Sequence, residues 1–206
     1  MIPENWRGVD GPPNGPNDTA TFSDAISGPA TVATNEPVTV NRIDFINTDH
    51  SYAVGGLGSI NLTASTTNPT NPSIGVQGTH EFQVRVALHD DTTMNVGSNS
   101  TLEFVNRLSL NGKTLTKTGD GTLVISNELN TGGGTLIGAA GVIAGEGNLA
   151  GSLVNNGAVI APGNSAGALA NQIPEPTTVA LLGLGGLLLI FLSGMRDTDP
   201  SNPFGP

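Results

Sequence analysis

From residue 19 onward, apolar side chains arrive in short period-two runs, and Gly, Asn, Asp and Pro interrupt them every few residues. No window before Thr177 carries a 3.6-residue period, so no stretch offers the apolar stripe that a packed helix needs. That restricts the chain to short strands joined by tight corners. In HEFQVRVALHD, Phe82, Val84, Val86 and Leu88 take one side, while Glu81, Gln83, Arg85 and His89 take the other. In VTVNRIDFI, Val38 and Val40 share a parity that Ile43 and Phe45 do not, so a bulge near Asn41 and Arg42 would restore one buried face. GGLG and TTNPTNPS read as loops.

From about Met94 a loose repeat joins the alternation. Thr-Leu recurs at Thr101–Leu102, Thr114–Leu115, Thr122–Leu123 and Thr135–Leu136, with Ser-Leu at Ser109–Leu110 and Ser152–Leu153. NGK, GDG, TGGG, NNGA and PGN separate these runs. A coil of a β-solenoid is built this way: each short strand supplies one or two inward aliphatics, and each corner needs residues that tolerate positive φ. One coil cannot bury its own face, so its neighbours must cover it. The soluble part is read as all-β, with solenoid repeats from about residue 94. For residues 19–110 a β-sandwich is the alternative.

The surface implied by this reading carries little charge. Asp, Glu, Lys and Arg make up 12% of the 206 residues, against about 25% in an ordinary globular chain. Gly, Thr, Asn and Ser take their place, which suits stacked strands better than amphipathic helices. The net charge is −10 and the seven Lys and Arg are scattered. That leaves no basic patch and argues against nucleic acid as a partner. The chain has no Cys, which excludes disulfides and Cys-ligated zinc.

Residues 173–196 read IPEPTTVALLGLGGLLLIFLSGMR. Residues 179–195 carry no charged side chain, and seven of the seventeen are Leu. A helix of that length spans about 26 Å, close to the hydrocarbon thickness of a bilayer. Its ten strongest apolar residues contribute on the order of −5 kcal/mol to insertion, and four glycines reduce that. A transmembrane helix over 177–195 is the expectation, with the bilayer as its partner. Pro174 and Pro176 hold the chain extended before it, and Arg196 follows it as a stop anchor.

Pro174, Glu175 and Pro176, then a Leu/Gly-rich span, then Arg196, resemble the PEP-CTERM sorting signal. The resemblance implies a bacterial exported protein. An exosortase-type protease would recognise its tail in the inner membrane and process it near the motif, after which the protein reaches the cell surface or the medium. The family usually ends in several basic residues, whereas here Arg196 stands alone and Asp197 and Asp199 follow. A second resemblance lies in LTKTGDGTLVISN, residues 115–127, which looks like the autotransporter-associated β-strand repeat. Residues 141–169 resemble the coils that often follow that repeat. Both imply a right-handed β-helix. MIPENWRGVDGPPNG shows neither the basic region nor the apolar run of an export signal, and the expectation is a start misassigned within a longer gene. Domain boundaries follow: an irregular lead-in over 1–18, a β-rich exported domain over 19–172, the sorting segment over 173–196, and a disordered tail over 197–206.

Candidate chemistry is sparse. GNSAG at 163–167 matches the nucleophile-elbow spacing, but His50, His80 and His89 all precede it and no helix follows at that point. GEGNLA at 145–150 fits a dinucleotide fingerprint, yet a strand replaces the required helix, so it reads as a coil corner. GGLGSI at 55–60 lacks the Asp of the calcium-binding nonapeptide. Asp10, Asn14, Asn17 and Asp18 do not have EF-hand spacing, and His89, Asp90 and Asp91 read as a solvated turn. Trp6 and Tyr52 are the candidate sugar-stacking rings. No cofactor, metal or catalytic residue is assigned, and matched carboxylates on successive coils are not evident. The functional expectation is a structural or interaction protein of the cell envelope or extracellular matrix. The alternative is a carbohydrate-binding or carbohydrate-cleaving β-helix whose partner is extracellular polysaccharide.

Overall fold

The computed structural model describes residues 11–67 and 69–163. Across them the chain winds as an all-β parallel solenoid of six turns and the start of a seventh. The first turn holds β1 (Thr19–Phe22), β2 (Ala30–Ala33) and β3 (Pro37–Val40). The second holds β4 (Arg42–Phe45), β5 (Tyr52–Gly55) and β6 (Ser59–Leu62). The third holds β7 (Ser73–Val76), β8 (Thr79–Phe82) and β9 (Arg85–Leu88). The fourth holds β10 (Thr92–Val96), β11 (Thr101–Phe104) and β12 (Leu108–Ser109). The fifth runs through β13 (Thr114–Thr118), β14 (Thr122–Ile125) and the start of β15 (Glu128–Gly138). The sixth takes the end of β15, then β16 (Val142–Gly145) and the start of β17 (Asn148–Asn155). The end of β17 and β18 (Val159–Pro162) begin the seventh.

Every strand pairing is parallel, and each strand pairs with its counterpart one turn away. Three stacks result, starting from β1, β2 and β3. The first and third merge into one sheet because β15 runs unbroken around the corner between them. Both expectations for residues 19–110 are thereby decided. The stacking starts at Thr19, well before Met94, and the β-sandwich is not found, since no strand there pairs antiparallel.

Turn length varies. Thr19 sits beside Arg42, an advance of 23 residues, while Ser73 sits beside Thr93, an advance of 20. Arg42 to Ser73 is an advance of 31 that absorbs a polar loop over 63–72, and Thr135 to Ser152 is one of only 17. A drifting period of this kind hides from a search for fixed repeats.

Two local expectations change. The parity switch at Asn41 is not a bulge. Val38 and Val40 lie on the third stack, Ile43 and Phe45 on the first, and Asn41 is the corner between them. All four side chains are buried. Likewise HEFQVRVALHD is two strands, β8 and β9, bent at Gln83 and Val84. Its alternation carries through the bend, so Phe82, Val84, Val86 and Leu88 are all buried as their spacing predicts.

The core is a set of columns running along the solenoid. On the second stack, Leu102 lies between His80 and Leu123, and Leu123 lies beside Ile143. A run of rings crosses the first four turns. Phe22 stacks on Phe45 at 4.7 Å, Phe45 meets Phe82 edge-on at 5.6 Å, and Phe82 stacks on Phe104 at 5.2 Å. At the GEGNLA corner, Gly145 has φ +131°, and a Cβ there would overlap the Ile125 carbonyl oxygen one turn below. Only glycine fits where two coils cross so closely. Phe104→Ala should lower stability by about 3–5 kcal/mol, and Gly145→Ala should also destabilise. Urea unfolding of a chain ending at residue 172, followed by circular dichroism, checks both; an unchanged midpoint for Phe104→Ala would refute the column packing.

Candidate functional surface

The sorting-motif residues Pro174, Glu175, Pro176 and Arg196 lie outside the described residues, as do Trp6, Asp10 and the span over 177–195. Gly163 is the only described residue of GNSAG. Among the described residues no helix is long and apolar enough to cross a membrane.

Polar residues at the corners are committed to the scaffold. Asn14 accepts the Thr39 N–H at 2.9 Å, and Asp18 accepts the Asn14 N–H at 2.9 Å. Asn17 Oδ1 accepts from the backbone of Thr66 and Thr67 and from the Ser65 hydroxyl, pinning the 63–72 loop. The corner at His89, Asp90 and Asp91 ties three turns together. Asp90 accepts the Ala64 N–H one turn below, and Asp91 accepts the Thr114 N–H one turn above, each at 2.8 Å. No group of three or more potential metal ligands occurs among the described residues.

Inside the corner between the first and second stacks runs a seam of buried polar side chains: Asn47, His80, Ser100 and Lys117. Asn47 Oδ1 accepts the Asp49 and His50 N–H groups, and Ser100 Oγ accepts the Gly78 N–H. Lys117 is fully buried at an inward position of β13. Its ammonium donates to the carbonyls of Gly119 at 2.6 Å, Gly121 at 2.7 Å and Ala140 at 2.9 Å, with Thr118 at 3.3 Å. One cation thus satisfies the acceptors of a tight corner and of the turn above it. Burial lowers its pKa from the ordinary lysine value, and nearby Asp120 partly offsets that.

His80 is neutral by its contacts. Nδ1 accepts the Tyr52 N–H at 3.0 Å, so the proton sits on Nε2, which donates toward the carbonyls of Gln77 and Asn47. The ring stacks on Phe45 at 4.7 Å. Desolvation lowers its pKa below 6.5, although the two carbonyls act the other way. Tyr52 is buried too, and its hydroxyl donates to the Ser23 carbonyl at 2.6 Å. Burial and Asp24 raise its pKa. Tyr52 is therefore a core ring and not a sugar platform; the described phenylalanines, Phe22, Phe45, Phe82 and Phe104, are buried as well.

The outer face of the second stack brings together two carboxylates that a reading of the sequence misses. Glu81 and Glu103 occupy matched positions on β8 and β11. Gln83 donates to Glu81, and the Ser126 hydroxyl donates to Glu103. The signal was there: THEF and TLEF share a Thr-x-Glu-Phe pattern. Two outer ion pairs form elsewhere among the described residues, Arg42 with Asp44 and Arg107 with Glu128. At the first turn a groove of about 240 Å³ lies between Pro12–Asn14 and Thr34–Val38, with Glu36 as its one ionisable lining residue.

Outer columns change character along the solenoid. Thr93 and Thr116 give way to Ile137 and Val154 on the first stack. Thr101 and Thr122 give way to Val142 and Val159 on the second, and Glu103 gives way to Val124, Ala144 and Ala161. These columns turn aliphatic over the last two turns, while the neighbouring column through Thr114, Thr135 and Ser152 keeps its hydroxyls.

Below pH 6.5 the unfolded chain protonates His80 while the folded chain resists it. The stability that His80 contributes is thus complete above 6.5 and is lost as pH falls toward its lower folded value. Thermal melts across this range should show the native chain losing stability faster than His80→Gln on acidification; parallel curves would contradict the neutral assignment. No family model, no curated protein and no solved structure matches this chain.

Proposed function

We propose that the chain is a structural or interaction protein of the cell envelope. In this reading a right-handed β-solenoid is exported and held in the inner membrane by a helix over 177–195. An exosortase-type protease takes it at Pro174, Glu175 and Pro176, and it then serves at the surface or in an extracellular matrix. The observation that carries the reading is the joining of two features in one chain. A parallel solenoid, whose corner polar groups are spent on its own backbone, is followed by an uncharged seventeen-residue run headed by Pro-Glu-Pro. A scaffold of that kind offers long, regular faces rather than a reactive pocket. Deleting residues 173–196 should move the protein from the membrane to the soluble or secreted fraction without changing its β-sheet circular dichroism. Unchanged fractionation would overturn the sorting role.

A second reading, carbohydrate binding or cleavage, draws on Glu81 and Glu103. Parallel neighbours lie about 4.8 Å apart, near the carboxyl separation of retaining glycosidases, about 5–5.5 Å. The burial of every described aromatic ring weighs against it. If this reading holds, a glycan array or hydrolase screen should give a signal that Glu103→Gln abolishes; a blank screen leaves the envelope role standing alone.

A further inference from the structure

An asparagine followed by glycine carries its own chemistry, because the glycine nitrogen can close on the asparagine carboxamide. The sequence holds three such pairs: Asn14 with Gly15, Asn111 with Gly112, and Asn156 with Gly157. We propose that Asn156 is a self-modification site, which the folded chain converts to aspartate and isoaspartate while it holds Asn14 and Asn111 intact. The step needs only water. The Gly157 nitrogen gives up its proton to solvent and attacks Cγ of Asn156. The bond from Cγ to Nδ2 breaks, and ammonia leaves with a proton returned from solvent. The cyclic imide then adds one water, and opening at one carbonyl gives aspartate, at the other isoaspartate. Nothing is oxidised or reduced.

The fold treats the three pairs differently. Ring closure needs a carboxamide free to turn and a glycine N–H free of a strong partner. Asn111 has neither. Its Nδ2 donates to the Leu88 carbonyl at 3.0 Å, and the Gly112 N–H donates to the Thr131 carbonyl of the next turn at 2.9 Å. At Asn14 the carboxamide is held, since Oδ1 accepts the Thr39 N–H at 2.9 Å. The Asp18 carboxylate also lies 3.3 Å from where a Cβ on Gly15 would stand, so it opposes negative charge on the Gly15 nitrogen. Asn156 is exposed, and its carboxamide makes no hydrogen bond among the described residues. The Gly157 N–H donates only to the Asn155 side chain, at 3.2 Å. Residues 138–141, the turn beneath, carry no ionisable side chain. Asn156 also sits on the seventh turn, which among the described residues has a neighbour on one side only. Local opening costs least at the end of a stacked array.

The product changes the corner. The imide removes the Gly157 N–H, and isoaspartate routes the main chain through the side-chain carbon, adding one carbon to the path. This corner sets the register of the seventh turn: the Asn156 N–H donates to the Gly138 carbonyl and the Val159 N–H to the Gly141 carbonyl, each at 2.7 Å. A longer corner shifts β18 along β16, so conversion loosens the last described turn and adds a negative charge to it. None of this depends on the envelope role.

The test ages the full-length chain in mild detergent and mildly alkaline buffer, with and without urea. Peptide mass spectrometry reads the amide-to-acid conversion at each pair, and an isoaspartate-specific methyltransferase labels the rearranged product. In the folded chain Asn156 should convert at least about tenfold faster than Asn14 or Asn111, which must first break the hydrogen bonds that hold them. In urea the three rates should converge. Asn156→Gln should remove the label at that position alone. Amide hydrogen exchange at Val159 should quicken in the aged native chain and stay unchanged in aged Asn156→Gln. Conversion of Asn14 or Asn111 as fast as Asn156 in the folded chain overturns the proposal. So does an intact Asn156 under conditions where the urea-treated chain converts, or unchanged Val159 exchange once conversion is complete. The same rate order in urea would assign the difference to neighbouring residues rather than to the fold, and overturns it too.

Discussion

Parallel register between successive turns is the constraint on which the rest depends. Each strand finds its backbone partners one turn away and none in its own turn, so no turn is stable alone. The hydrogen bonds continue through the corners, as where Phe45 accepts the Gln77 N–H and Val76 accepts the Gly97 N–H. Once register is set, every inward position becomes part of a column, and every corner must return the chain to the next stack whatever length it absorbs. The phenylalanine run from Phe22 to Phe104 and the aliphatic column through Leu102, Leu123 and Ile143 are consequences of that geometry.

Corners are where the geometry strains polar chemistry. A tight return turns carbonyls inward, where water cannot reach them. The protein answers with buried side chains at one corner, each matched to a local need. Asn47 serves N–H groups, His80 offers one acceptor and one donor, and Lys117 supplies an ammonium to a nest of carbonyls. Glycine answers the other demand, close approach, as at Gly145. Asp90 and Asp91 do the equivalent work on the outside by tying adjacent turns together. The polar residues that first suggest binding chemistry are largely accounted for by this internal role.

What remains free is the outer surface, and its pattern is set by register rather than by any single stretch. A uniform scaffold lets one property vary slowly along its length. Here the column through Thr93, Thr116, Ile137 and Val154 passes from hydroxyl to aliphatic groups, while its neighbour through Thr114, Thr135 and Ser152 does not, and charge fades in the same direction.

The amino-acid sequence by itself determined the all-β class of the described part and the inward set of its clearest runs, because side chains alternate with a period of two whatever the strand pairs with. Phe82, Val84, Val86 and Leu88 were legible on those grounds, and so was the GEGNLA corner. Lys117 was legible in principle, sharing the parity of Leu115, but its burial makes sense only with the Ala140 carbonyl from the next turn. The start of the solenoid and the corner at Asn41 were decided by tertiary structure alone, and the Thr-x-Glu-Phe pattern shared by THEF and TLEF became a pairing of Glu81 with Glu103 only through the register of β8 and β11. Turns of 17 to 31 residues carry no fixed period, so which residues lie side by side depends on how much chain each corner absorbs. Only the backbone hydrogen bonds between turns settle that.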